Sequence, residues 1–243
     1  MKVIDSLQHR VLTKIYRHFA FHLFKTYRDD MFEVLINLKY NGYYPKTIID
    51  VGAYKGDWTK EVLKIYDKSD YYLFEPQNDK RPYLETLRTN NPNINFFNVL
   101  LGANKGSLVK FYKMETGSSV YSENTSHDRE ILEMQLNTID DIFKNIVIDK
   151  CLLKLDVQGY EIEVLKGATS IMNKVDIVLL EVSVLEYNLN APEFFDVVNY
   201  MNEIGFIVYD ICGLKRTSIE HKLMQCDIFF CKKNSDIRNV SNF

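Results

Sequence analysis

Cysteine is scarce in this chain and unpaired in pattern. Its four cysteines, Cys151, Cys212, Cys226 and Cys231, include no Cys-x-x-Cys spacing. That excludes a zinc ribbon and a redox dithiol, and leaves buried reduced thiols as the expectation. Cys226 and Cys231 fall on one expected strand at an odd spacing, so their side chains should face opposite sides. Basic charge is not in excess either: 30 Lys and Arg stand against 33 Asp and Glu, for a formal net charge of −3. Nucleic-acid binding needs the reverse balance. There is no apolar run of about 18 residues and no signal-peptide pattern, so the cytosol is the expected compartment. Internal repeats and low-complexity stretches are also missing. Aromatic and apolar residues are plentiful, with 16 Tyr, 15 Phe and a hydrophobic fraction of 46%. At 243 residues this suits one large domain with a full core and no need of staples.

One segment departs from the even charge balance. Residues 1–28 carry Lys2, Arg10, Lys14, Arg17, Lys25 and Arg28 against Asp5, and their apolar residues Ile4, Leu7, Val11, Ile15, Phe19 and Leu23 recur at helical spacing. A basic amphipathic helix of this kind lies on an anionic membrane surface, or packs on the domain or on a second subunit. His18 and His22 share one face of it without a His-Glu-x-x-His pattern, and read as surface or interface residues.

From there strands and helices alternate. MFEVLINLKYNGYYP reads as a helix closed by Asn41-Gly42 and Pro45. TIIDVG, YYLFEP, INFFNVLLG (94–102), CLLKLDV, VDIVLLEV, FIVYDI and CDIFFCK read as strands, and SLVKFYKME as an edge strand. Helices are expected over 57–66, 78–90, after Thr138, over YEIEVLKGA and over PEFFDVVNYMNEIG, with 117–130 a polar loop. The pattern predicts an α/β fold: a mostly parallel sheet with helices on both faces. The expected divisions are an N-terminal helical segment at 1–42, a main domain at 43–233 and a frayed tail at 234–243. In such a sheet ligands bind beyond the carboxyl ends of the strands, where Asp50, Glu75, Gly102, Asp156 and Glu181 fall.

The stretch TIIDVGAYKGDWTKEV (47–62) is the most informative turn. It spells Asp-x-Gly-x-x-x-Gly through Asp50, Gly52 and Gly56, which is neither the dinucleotide fingerprint nor a P-loop. Glycine at a strand-to-helix turn lets backbone approach a ligand, and the helix start offers free N–H groups to a carboxylate. Asp50 would repel a pyrophosphate and attract an ammonium, so an amino-acid end fits. Glu75, at the tip of the next strand, suits a ribose diol. An amino acid joined to a ribose describes S-adenosylmethionine.

With the segments IIDVGAYKGDW, YYLFEPQ, NVLLGANKGSLVKFY, TGSSVYS, LNTIDDIF, LLKLDVQGYEIEVLKGA, IVLLEV and MQCDIFFCKK, in order over about three quarters of the chain, the sequence resembles the FkbM-type methyltransferases. LKLDVQGYEIEVLKGA is the most specific of these. The resemblance implies a class I Rossmann-like methyltransferase fold with a seven-stranded sheet, S-adenosylmethionine as donor, and usually O-methylation of hydroxyls on sugars or natural products. Gln158 stands where the family often has Glu, and Tyr54 where a small polar Asn is common. The expected cofactor contacts are Asp50, Gly52, Tyr54, Gly56, Glu75, Pro76, Leu101, Gly102, Ser119, Asp156 and Gln158.

A sugar hydroxyl is a poor nucleophile until its proton is removed, so a carboxylate base is required. Asp156, closing the fourth core strand, is the candidate. Lys154 lies on the same face and either pairs with Asp156, binds an anionic acceptor or serves a structural ion pair. Glu161 is a second acid or a solvated residue, and Glu181 can order the acceptor. In the 117–130 loop Ser118, Ser119, Tyr121 and Asn124 suit a polyol, and His127 is an alternative base or an exposed residue. Tyr54 and Trp58 stack on a ligand or pack in the core. Asp156 and Glu181 leave a divalent metal open, but no third ligand is evident and none is expected. A carbohydrate or other small-molecule acceptor is the expected partner. A homo-oligomer and peripheral membrane contact stay open, as do an amine acceptor and a non-catalytic binding role.

Overall fold

A computed structural model describes residues 30–115, 117–122, 129–186 and 188–239. The basic arm with His18 and His22 lies outside the described residues, as do Asn124 and His127.

The central strands are β1 (Thr47–Val51), β7 (Cys151–Leu155) and β8 (Val175–Ser183). β1 and β7 are buried at every position and β8 at all but one. Near-continuous apolar sequence is what a parallel strand covered on both faces requires. They join β2 (Asp70–Phe74), β3 (Ile94–Phe97), β9 (Phe206–Arg216) and β10 (Leu223–Lys232) in a seven-stranded sheet of order β3-β2-β1-β7-β8-β10-β9. All pairs are parallel except those of β10, which runs antiparallel to both β8 and β9.

Each face of the sheet has its own core. One packs Ile49, Leu153 and Leu180 against α4 (Ile139–Phe143), α5 (Glu161–Lys166) and α6 (Phe194–Glu203). The other packs Ile48, Leu152 and Phe229 against α1 (Met31–Tyr40), α2 (Asp57–Ile65) and α3 (Arg81–Asn90). Cys226 belongs to the first core and Cys231 to the second, on opposite faces as their spacing predicts, and all four cysteines are buried free thiols. Thr138 caps α4 by accepting from the Asp141 N–H. Helix α1 is not a separate appendage. It buries Val34, Leu35 and Leu38 in the second core, and its Leu35 carbonyl accepts from the Tyr66 hydroxyl at 2.9 Å. Among the described residues no helix is long and apolar enough to cross a membrane.

One expectation is corrected and one strand is added. The apolar run 94–102 is not one strand: it stops at Phe97, and Leu100–Leu101 forms β4 in a different sheet. The Asn98 side chain turns back to donate to the Glu75 carbonyl at 2.7 Å, which helps end the ladder there. β5 (Leu108–Lys113) is an edge strand as expected, in a separate three-stranded sheet of order β4-β6-β5, where it pairs with β6 (Glu130–Asn137), a strand the sequence reading missed. β6 reads Glu-Ile-Leu-Glu-Met-Gln-Leu-Asn and buries only Leu136 fully, so its one apolar face does not announce itself.

The two glycines of the first turn are explained largely by the protein's own atoms. Both have φ +77°, in the left-handed region. A Cβ on Gly52 would stand 2.0 Å from the backbone carbonyl oxygen of Asp156, whereas one on Gly56 would meet the Leu87 side chain at 2.8 Å. The backbone strain is therefore shared and the steric obstacle is not. Gly56→Ala should cost about 1–2 kcal/mol and Gly52→Ala about 3 kcal/mol or more. Urea denaturation of the two variants compares them directly, and equal losses would show that the approach to Asp156 is not tight in solution.

Candidate active site

Strand order reverses between β1 and β7, because the chain moves outward from β1 to β2 and β3 and then returns to lay β7 on its other side. A crevice opens at such a point beyond the strand ends. Here it is a cavity walled by the first turn (Val51, Gly52, Tyr54), the tip of β2 (Phe74 to Gln77), residues 99–101, the hairpin residues Phe111, Glu115 and Ser118 to Val120, and the turn after β7 (Asp156 to Gln158 and Tyr160).

Of the expected cofactor contacts, the cavity wall includes Gly52, Tyr54, Glu75, Pro76, Leu101, Ser119, Asp156 and Gln158. Asp50, Gly56 and Gly102 are not in it. Asp50 is completely buried: one carboxylate oxygen accepts from the Thr59 hydroxyl at 2.6 Å and the other from the Lys154 ammonium at 2.9 Å. The direct ammonium contact expected of it is thus replaced by a structural ion pair. Gly56 faces α3, and Gly102 faces Leu136 and Tyr160, where a Cβ would have no room.

Glu75 is the one deeply buried carboxylate on the cavity wall. Its two oxygens accept N–H groups from Tyr54 and Gln77, each at 2.9 Å. Burial raises its pKa, and those N–H groups hold the rise back. Lone pairs remain on both oxygens for further donors. Tyr54 adopts a left-handed φ of 49°, and its hydroxyl donates to Glu115 at 2.6 Å, joining the first turn to the β5–β6 hairpin. Ser118 binds the Met114 backbone, while the Ser119 hydroxyl donates to the Gln158 carbonyl at 2.8 Å. Tyr121 packs edge-on against Tyr160.

On the other side, Asp156 is exposed enough to meet a ligand, and Lys154 approaches it at 3.6 Å while holding Asp50. Burial would lower the Lys154 pKa, but Asp50 and Asp156 outweigh it and the ammonium is kept charged. Its Nζ also sits 5.3 Å from the centre of the Trp58 ring, which packs with the second core. Glu181 lies within β8, off the cavity wall, paired with Lys215 and accepting from Gln158 and Gln225. Burial and then Asp156 raise its pKa. Burial and then Glu181 push Asp227, across from it on β10, to about 7. Among the described residues no cluster of acids, His and Cys is arranged to hold a metal.

Sequence reasoning missed Gln77, Phe111, Glu115 and Tyr160 as cavity residues. Gln77 was within reach, two positions past Glu75. The others arrive through the small sheet and the α5 turn, whose placement no local pattern predicts.

The FkbM methyltransferase domain matches this chain over residues 50–208, more than half its length. The chain belongs to the FkbM methyltransferase family. This FkbM chain resembles the crystal structure of an FkbM methyltransferase from Methylobacillus flagellatus KT at 17% identity and a TM-score of 0.48. That match covers 76% of this chain and 43% of the other, so the chain spans less than half the length of that protein. Magnesium protoporphyrin IX methyltransferase (ChlM) from Synechocystis PCC 6803, solved with bound S-adenosylmethionine, matches at 9% identity and a TM-score of 0.48, covering 82% and 76% of the two chains. Aeropyrum pernix fibrillarin, with natively bound S-adenosylmethionine, matches at 12% identity and 0.44, covering 77% and 66%. None of the curated proteins matches the sequence.

Glu161 has a different role from the second acid or solvated residue expected. It is buried off the cavity, and one oxygen accepts the N–H groups of Val157 and Gly159 at 3.1 and 3.2 Å, bracing the turn that carries Gln158. Burial pushes its pKa up to about 8, against the opposing pull of those N–H groups. Between the ordinary glutamate range and pH 8 the folded state therefore binds more protons than the unfolded one, so its contribution falls as pH rises through that window. Relative to Glu161→Gln, the wild-type protein should lose stability from pH 5 to pH 8, at up to about 1.4 kcal/mol per unit. Parallel stability curves in urea titrations at those pH values would contradict the buried, proton-holding state.

Proposed function

We propose that this chain is an S-adenosylmethionine-dependent O-methyltransferase acting on a hydroxyl of a sugar or glycan precursor. The observation that carries the reading is the presence, on the walls of one cavity, of a buried ribose-suited carboxylate at Glu75 and a solvent-reachable carboxylate at Asp156. When bound, the cofactor supplies a methyl group made electrophilic by its sulfonium.

The fit rests on donor and acceptor types. Glu75 has lone pairs for a vicinal diol, and its orientation is set by two backbone N–H groups. Leu101, Val99 and Phe111 give the apolar wall that a flat base needs. Gly52 and the turn after it present backbone to the methionyl end, while Asp50 acts only by fixing that turn through Thr59 and Lys154.

Asp156 would accept the proton of an acceptor hydroxyl held beside it, freeing the oxygen to take the methyl group that the cofactor would give up from its sulfonium sulfur. Lys154 stands behind it, its ammonium 3.6 Å from the Asp156 carboxylate. The β5–β6 hairpin, latched by Tyr54 and Glu115, helps keep water out. An amine acceptor is the second reading. Asp156, a carboxylate on the cavity wall, would pair with the ammonium form of such an acceptor. A screen of hydroxyl and amine acceptors with labelled donor separates the two. Since an amine needs less help from a base, activity on amines would survive loss of Asp156.

Glu75→Ala should weaken binding of S-adenosylhomocysteine by about tenfold or more, read by calorimetry. Equal affinity would remove Glu75 from the ribose. Asp156→Asn should keep that affinity within about threefold and lower kcat on a hydroxyl acceptor by about a hundredfold or more. Undiminished turnover would take the base role from Asp156.

A further inference from the structure

Gln158 is held more firmly than a polar residue on a loop needs to be. Its φ is 56°, a left-handed value that is costly for a side chain with a Cβ. Its carbonyl accepts from the Ser119 hydroxyl at 2.8 Å and from the Asn188 side-chain amide at 2.7 Å. The next residue, Gly159, has φ +97°, and its N–H is taken by the buried Glu161. Three separate segments therefore fix the backbone at this point, and the result is the direction of one side chain. Its amide nitrogen lies 3.1 Å from Asp156 Oδ1 and also contacts Glu181 Oε2. Because ionised carboxylates only accept, the group facing them must be the NH2, which carries two hydrogens, one for each acid.

We propose that Gln158 is a positioning residue: by donating one amide hydrogen to Asp156 and the other to Glu181, it fixes the direction of the Asp156 carboxylate at the cavity wall. The proposal rests on Asp156 serving as the base. Two carboxylates side by side repel, and without a donor between them they turn apart or share a proton. The other charged and polar groups facing Glu181 do not replace this donor. Lys215 on β9 binds the other oxygen of Glu181, Gln225 on β10 shares Oε2 but does not reach Asp156, Lys154 on β7 is held by Asp50 and comes only within 3.6 Å of Asp156, and Asp227 on β10 adds a further acid. A Glu at 158 would place another carboxylate between the two.

The test uses the full chain with Gln158→Asn and Gln158→Glu. Asn tolerates the left-handed backbone and is one methylene too short to reach both acids. Glu keeps the length and loses the donor. The first readout is carbon NMR of the side-chain carboxyls, following the Glu181 titration midpoint with no acceptor or cofactor present. The second is the pH profile of turnover. We expect the midpoint to rise by about one unit in Gln158→Asn and further in Gln158→Glu. We also expect turnover at pH 7.5 to fall about tenfold or more in both, with Gln158→Glu recovering in part toward acid pH, where a protonated Glu donates again. A midpoint unmoved in both variants would overturn the proposal, and so would turnover within twofold of wild type. Asp156→Asn run alongside keeps the base assignment separate: full activity there refutes the role of Asp156, while the Glu181 midpoint still reports whether the amide bridge exists.

Discussion

The ends of β1 and β7 are joined so closely that neither can move without the other, and the cavity depends on that join. The Asp156 N–H donates to the Val51 carbonyl at 3.1 Å, and the Asp156 carbonyl lies where a side chain on Gly52 would be. Lys154 adds the third tie, reaching from β7 to Asp50, its register partner on β1. The first turn is thereby set against Asp156, the residue proposed above as the base. In-line methyl transfer depends on this kind of relation, since small misplacements along the reaction axis lower the rate steeply.

The ion pair inside that join is an unusual choice on energetic grounds. Taking Asp50 and Lys154 out of water costs several kcal/mol each, and a well-packed apolar pair often does as well for stability. Here the geometry repays much of the cost. Asp50 has a hydroxyl on one oxygen and an ammonium on the other, and the ammonium also has the Trp58 ring beside it. An apolar pair, however, would leave nothing behind Asp156. Lys154 is bound tightly to the structural acid at 2.9 Å and loosely to the exposed one at 3.6 Å. That asymmetry lets one buried cation hold the fold and still stand beside the carboxylate on the cavity wall.

How much of this was legible in the sequence depended on whether a residue's role was local. The parallel strands were readable because burial on both faces leaves an apolar run, as in TIIDV and CLLKL. Helix ends were readable where a cap marks them, as at Thr138. Glu75 and Asp156 were readable because the first residue past a strand faces the crevice. Asp50 was misjudged because its partner, Lys154, is remote in sequence and adjacent only in the sheet. The first-turn glycines were credited to a ligand when they answer chiefly to Asp156 and Leu87. β6 was missed because a strand buried on one face of a small sheet carries as many polar as apolar residues.

The same division separates two parts of the cavity's surroundings. One side of the cavity rests on β1, β2 and the turn after β7, whose positions follow from the two large cores. Behind Gln158 on the other side, Glu181 is held by Lys215 and Gln225, and that region is organised by side-chain hydrogen bonds. Such a network tolerates few partial changes, because removing one donor leaves a buried carboxylate with less than it needs. It can instead be exchanged as a unit without disturbing the sheet beneath it. The sheet's own cores, by contrast, hold the first turn and the turn after β7 whatever that network becomes.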